Sequence, residues 1–308
     1  MAIKKVSIIG LGALGVLFGH HLSKRMELWD LRIIADRERI SRYEKEKVYS
    51  NGELCEFHYV TPEEECSPAD LLIFSVKFNG LDEALHSVRK HVGENTIILS
   101  LLNGITSESI IGHVYGMDKV LYCVAQGMDA VKSGNKLTYE NMGMLCFGSK
   151  EPGVVSPKAK ELADFFEEMD IPYELVTDMH RRQWGKFMLN VGVNQTVAVY
   201  QTNYGGVQRE GRARDTMIAA MREVIALSGK EGVHLTEEDL QYWLDILGTL
   251  GPSGKPSMAQ DAEAHRPSEV ELFAGTVIEM GRKHGLPTPV NKELYEKIRR
   301  MEMHYSAQ

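Results

Sequence analysis

Six residues near the start of the chain constrain the fold more than any others. Gly10-Leu11-Gly12-Ala13-Leu14-Gly15 directly follows the apolar run Val6-Ser7-Ile8-Ile9 and leads into a helical pattern from Ala13 to Arg25. Between a strand and a helix, the first glycine permits a tight turn and the second lets a pyrophosphate approach the backbone. The third lets helix pack on strand. The helix N-terminus adds unpaired N–H groups and a partial positive charge. The expectation is a dinucleotide-binding β–α–β unit, against the plainer reading of incidental glycines in a βα turn.

The rest of the first half supports that unit. Leu31 to Ala35, Leu71 to Val76 and Thr96 to Leu101 are short apolar runs, separated by helical patterns at Glu38 to Glu46 and Leu81 to His91. Apolar strands without alternation are buried on both faces, as in parallel sheets. Asn51-Gly52, between two short β-like runs, predicts a hairpin. Beyond Ile171 to Val176 strand signals stop, and helices are expected near 180–200, 209–231, 236–248, 268–284 and 291–303. Gly251 to Pro256 reads as a loop. The expected fold class is α/β: a Rossmann-type, doubly wound sheet over residues 1–176 and an all-helical domain over 177–308.

Composition agrees with two domains, since 308 residues exceed one comfortable core. Against 35 Lys and Arg stand 43 Asp and Glu, a formal net charge of −8. No global field attracts nucleic acid or an anionic membrane, and no apolar run is long enough to span one. Ala2-Ile3-Lys4-Lys5 lacks the apolar stretch of a signal peptide, so a cytoplasmic location is expected. Cys55, Cys66, Cys123 and Cys146 show no metal-ligand spacing, so no metal is expected. The eleven histidines offer no ligand pair. Neither a G-x-S-x-G elbow nor a Walker lysine is present.

Ligands of open α/β sheets bind beyond the carboxyl ends of the strands. The second strand ends in Ala35-Asp36-Arg37-Glu38-Arg39. Asp36 suits a ribose 2′-hydroxyl and NAD; Arg37 and Arg39 suit the 2′-phosphate of NADP, or form a solvated helix face. Lys77 and Asn103 follow two further strands on the same rim. The plainer readings are a solvent-facing loop lysine for Lys77 and an Asn-Gly turn for Asn103, a turn that does not exclude a ligand contact. In the second half Lys186, Asn190 and Asn194 stand at i, i+4 and i+8 amid Phe187, Leu189, Val191 and Val193. One face of a largely buried helix thus carries a polar column. With Gly185 and Gly192 beside it, the column suits a ligand cleft, or else an internal hydrogen-bond column. Ser257 and Glu269 would pass locally for cap and first-turn residues.

Together these residues resemble the ketopantoate reductases (2-dehydropantoate 2-reductases). The resemblance runs from the glycine loop through Val76-Lys77, Asn103-Gly104 and the Lys186-Asn190-Asn194 column. It continues through Pro256-Ser257-Met258 with Asp261, Pro267-Ser268-Glu269 and Gly285-Leu286-Pro287-Thr288-Pro289-Val290-Asn291. It implies a two-domain reductase with its active site in a cleft. NADPH, with NAD as the alternative, would reduce 2-dehydropantoate to (R)-pantoate for coenzyme A synthesis. By that resemblance Lys186 is the catalytic lysine, and Glu269 contacts the substrate or the lysine. Gly10, Leu11, Gly12, Ala13, Leu14, Gly15, Asp36, Arg37, Lys77 and Asn103 hold the cofactor. Asn103, Asn190, Asn194 and Ser257 hold the substrate.

Two residues depart from the pattern: Leu102 stands where many relatives have Gln, and Asp36 where many have Arg. They leave open another branched 2-keto or 2-hydroxy acid as substrate. A non-catalytic dinucleotide sensor on the same fold is the remaining alternative. The expected partner is a small 2-keto acid, and an exposed apolar helix face would support a homodimer.

Overall fold

The apolar runs of the first half become the strands of a mixed sheet. The computed structural model describes residues 2–305. The chain divides into two compact units, Met1–Met179 and His180–Gln308. The first contains β1 (Val6–Ile9), β2 (Leu31–Ile34), β3 (Tyr49–Ser50), β4 (Glu53–Leu54), β5 (His58–Val60) and β6 (Leu71–Phe74). After these come β7 (Ile97–Ser100), β8 (Val120–Gln126), β9 (Val131–Ser133), β10 (Lys136–Thr138), β11 (Met144–Gly148) and β12 (Tyr173–Leu175). Its helices are α1 (Ala13–Ser23), α2 (Arg37–Glu46), α3 (Leu81–Ser87), α4 (Ser107–Tyr115) and α5 (Pro157–Glu168).

The main sheet has the order β12-β11-β8-β7-β6-β1-β2-β5. From β5 to β8 every pair is parallel; β11 runs antiparallel to β8 and parallel to β12. Alternation along each strand divides the core. Val6 and Ile8, Leu31 and Ile33, Leu71 and Ile73, and Ile97 and Leu99 pack with Val16 and Leu17 of α1 and Phe166 of α5. Their neighbours Ile9, Ile34, Leu72, Phe74 and Ile98 pack with Leu81 and Leu85 of α3 and Ile111 of α4. Both faces are covered, which is why these strands carry no polar alternation. The chain moves outward from β1 to β2 and β5, then returns to β6 on the other side of β1. That reversal places a crevice at the carboxyl ends of β1 and β6.

Asn51-Gly52 makes the expected hairpin between β3 and β4, with φ of 47° and 83°. The hairpin joins β9 and β10 in a separate four-stranded sheet, which the sequence did not announce.

The second unit is helical among the described residues: α6 (Met179–Val199, beginning at the boundary), α7 (Tyr204–Gln208), α8 (Arg212–Ser228), α9 (Glu237–Thr249), α10 (Ser257–Glu263), α11 (Thr276–His284) and α12 (Pro289–Tyr305). Two expectations are corrected. The helix expected over 209–231 begins only at Arg212, with Gly211 at φ 140° breaking it from α7. The helix expected over 268–284 opens instead with a π-helical turn, Glu271–Gly275, before α11. Just before it, the Ser268 hydroxyl accepts from Val270 N–H at 3.3 Å and donates to Glu302 at 2.6 Å.

One buried group gives the first unit a pH dependence. His91 is fully enclosed, with Nδ1 2.9 Å from Ser7 Oγ. Burial, and then the Arg32 charge, push its imidazole down to about 4. In the unfolded chain it titrates near 6.5. Between those values the unfolded state binds more protons, so stability present above about pH 6.5 declines as pH falls toward 4. Urea midpoints at pH 7 and pH 5 should show this decline, with a shallower slope for His91→Gln. An unchanged slope in that variant would place the titration elsewhere.

Candidate active site

The rim of the first unit is built by backbone geometry. Gly10 has φ 96°, and a Cβ there would lie 2.6 Å from the Ser75 carbonyl oxygen at the end of β6. At Gly15 a Cβ would collide with the Gly10 carbonyl oxygen. These two glycines let β1, β6 and α1 meet. Gly12 differs: it is exposed, and a Cβ there would meet only Ser75 O, at 3.5 Å. It caps α1 without a side-chain hydrogen bond, and no acidic residue sits in the first turn. An uncapped helix start beside an open glycine suits a pyrophosphate. Leu11 is buried, while Ala13 and Leu14 are half-buried in the first turn.

At the end of β2, Asp36 is the N-cap of α2, its Oδ1 accepting from the Arg39 N–H at 2.7 Å. The Arg39 guanidinium lies 3.2 Å from Asp36 Oδ2 and 2.9 Å from Glu83 Oε1. The Glu83 hydrogen bond holds it above its ordinary pKa. Two carboxylates thus share Arg39. Arg37 is exposed and makes no ion pair with the other described residues. Lys77 is exposed and precedes a 3₁₀ turn, Phe78–Gly80. Asn103 is half-buried and followed by Gly104 at φ 93°, consistent with the Asn-Gly turn. Leu102 packs into the core with Phe74 and Ile98 instead of offering a polar group to the rim.

In the second unit one helix and one loop end assemble a polar set. Lys186, Asn190 and Asn194 share a face of α6, each about 6 Å along the axis from the next. Asn194 is 6% exposed. Its Nδ2 donates to Asn190 Oδ1 at 3.3 Å. Its Oδ1 accepts from Ser257 Oγ at 3.3 Å and from Met258 N–H at 3.4 Å. Ser257, the exposed first residue of α10, is thereby brought to the column across 63 positions of sequence. Lys186 and Asn190 are half-buried. Glu269 is half-buried too, in the turn before the π-helical segment, where its carbonyl accepts from Leu272 N–H at 3.0 Å. Asp261 anchors the end of α10 through Arg266 at 2.8 Å.

One part of the sequence reading is corrected. A Cβ at Gly185 would strike the Trp243 indole, and one at Gly192 would lie 2.5 Å from Met221 Cγ. These glycines let α6 pack closely on α9 and α8; they do not open space for a ligand.

Residues 6–151 match the family model described as Ketopantoate reductase PanE/ApbA, and residues 178–302 match Ketopantoate reductase PanE/ApbA C terminal. The 2-dehydropantoate 2-reductase of Aquifex aeolicus (strain VF5) is 24% identical over 306 residues, covering 98% of each chain. That of Archaeoglobus fulgidus is 26% identical over 307 residues, 98% of this chain and 99% of its own. The fold is similar to that of D-mandelate dehydrogenase with NADH and anilino(oxo)acetate (TM-score 0.86, 23% identity, 98% of this chain and 99% of that one). No helix among the described residues is long and apolar enough to cross a membrane. Matched by both models over most of its length, the chain belongs to the ketopantoate reductase family of NAD(P)H-dependent oxidoreductases.

Proposed function

We propose that this enzyme reduces 2-dehydropantoate to (R)-pantoate. The observation that carries the reading is the hydrogen-bonded set Asn190, Asn194 and Ser257 on the helix face that also bears Lys186. A cation beside neutral donors and acceptors suits 2-dehydropantoate, an α-keto acid whose carboxylate and extra hydroxyl need partners and whose ketone oxygen gains charge. The glycine rim fits a dinucleotide, with Gly10, Leu11, Gly12, Ala13, Leu14 and Gly15 at the pyrophosphate and Asp36 and Arg37 at the adenosine ribose. Lys77 and Asn103 would hold the nicotinamide end. When bound, the dinucleotide supplies hydride to the ketone carbon. Lys186 polarises the ketone oxygen and gives it a proton as charge develops there, and its amine recovers one from water. Stabilising charge that develops only in the transition state raises turnover selectively. Asn190, Asn194 and Ser257 hold the substrate's carboxylate and hydroxyl, and Glu269 contacts the substrate or orients the lysine.

NADH, and not the NADPH that the resemblance implies, is the better electron donor in this reading. A carboxylate at the end of β2 would repel a 2′-phosphate bound there, and Arg39 is already shared by Asp36 and Glu83. Arg37 is the cation left to favour NADPH. With 2-dehydropantoate present, nicotinamide absorbance should fall faster with NADH, and Asp36→Ala should narrow the difference. Faster loss with NADPH would reverse the cofactor assignment and leave the reaction in place. Leu102, buried where many relatives carry Gln, supports a second reading in which another branched 2-keto acid is the substrate. Shape discrimination is worth only about 1–3 kcal/mol per methylene. Loss of absorbance with such an acid, and none with 2-dehydropantoate, would establish it.

A further inference from the structure

Beneath the loop that follows β7 lies a polar cluster that the proposed chemistry does not use. Ser100 closes β7, while Ser107 and Glu108 open α4; all three are buried, and Glu108 is fully enclosed. An enclosed carboxylate is costly unless dipoles and hydrogen bonds hold it. Glu108 sits in the first turn of α4, where the helix dipole favours negative charge. Ser107 Oγ donates to its Oε2 at 2.9 Å. A hydroxyl has one proton, so in its 2.8 Å contact with Ser100 Oγ, Ser107 accepts. Ser100 Oγ in turn accepts from the Leu102 backbone N–H at 3.3 Å. The donors therefore run one way, from the Leu102 peptide through two hydroxyls to the Glu108 carboxylate.

That direction matters for the next residue. The loop is tied to β6 by Leu101 N–H, which donates to the Phe74 carbonyl at 2.9 Å. Beyond that bond the chain turns through Asn103 and Gly104, whose φ is 93°. We propose that Glu108 is a positioning residue: through Ser107 and Ser100 it fixes the Leu102 peptide, and with it the place of the Asn103 amide. The inference rests on the reading of Asn103 as a ligand contact. A reacting group misplaced by about 1 Å costs on the order of 10²-fold in rate.

The test is a set of variants in the full-length protein: Ser107→Ala, Glu108→Ala, Glu108→Gln, Asn103→Ala and the combinations. Each is read by kcat/KM, by ADP-ribose affinity and by urea unfolding. Ser107→Ala and Glu108→Ala should each lower kcat/KM by about 10- to 100-fold. Neither should add more than about twofold in the Asn103→Ala background. Glu108→Gln, which keeps an acceptor oxygen for Ser107, should recover most of the activity. ADP-ribose affinity should hold, because the glycine rim lies on another loop. Wild-type kcat/KM in Ser107→Ala and Glu108→Ala would overturn the proposal alone, as would losses that multiply with that of an impaired Asn103→Ala. A fully active Asn103→Ala would overturn both the proposal and the reading beneath it. Should Glu108→Ala fail to fold, Ser107→Ala decides by the same criteria.

Discussion

Lys186→Ala is expected to lower kcat/KM by about 10²–10⁴-fold, the usual worth of a positioned general acid. That corresponds to about 3–5 kcal/mol of transition-state stabilisation. The loss should appear in turnover, because the ammonium meets full charge on the ketone oxygen only as hydride arrives. Dinucleotide affinity should stay, since the glycine rim is formed by β1, β6 and α1 of the other unit. Lys186 is half-buried, so its truncation leaves no large enclosed cavity and the variant should fold, which urea unfolding checks. Lys186→Arg should not rescue, because a guanidinium keeps its proton and needs a planar partner. Wild-type turnover by a folded Lys186→Ala protein would remove this residue from the mechanism.

The second large effect separates two glycines only three positions apart. Gly12 has φ −69°, a conformation open to any residue, and a Cβ there has room. Gly12→Val should therefore fold while filling the space a pyrophosphate needs. Dinucleotide binding is expected to weaken by about 100-fold or more, roughly 3 kcal/mol. Gly15→Ala should behave in the opposite way. Its methyl would be driven against the Gly10 carbonyl and lie 3.1 Å from Ser75 Oγ. Overpacking of that kind costs about 1–3 kcal/mol of stability. Calorimetric titration with NADH beside thermal unfolding distinguishes the two. Unaltered NADH affinity in Gly12→Val would mean that the pyrophosphate does not lie over this turn.

Much of this was legible beforehand because it depends on local periodicity. Val6 to Ile9 and Leu71 to Phe74 are apolar at every or nearly every position because helices cover both faces of the sheet. The Lys186-Asn190-Asn194 column is visible because helical spacing alone puts the three on one face. Asn51-Gly52 announced its hairpin because few dipeptides accept two positive φ values. Gly185 and Gly192 mislead for the converse reason. A glycine in a helix signals close approach without saying of what, and here Trp243 and Met221 answer. Nothing local in the sequence marks Glu108, because an acidic residue in a first helical turn is ordinary until its enclosure is known.

Taken alone, the sequence determined a strand–glycine loop–helix start, a parallel sheet followed by helices, and a polar stripe within an apolar helix. Each follows from spacing, because strand and helix periods are properties of the backbone. Only the tertiary structure decided which distant groups share protons and charge. It set Ser257 on Asn194, divided Arg39 between Asp36 and Glu83, and led the Leu102 peptide through Ser100 and Ser107 to Glu108. Such pairings depend on distance in space and on burial, which no local pattern records.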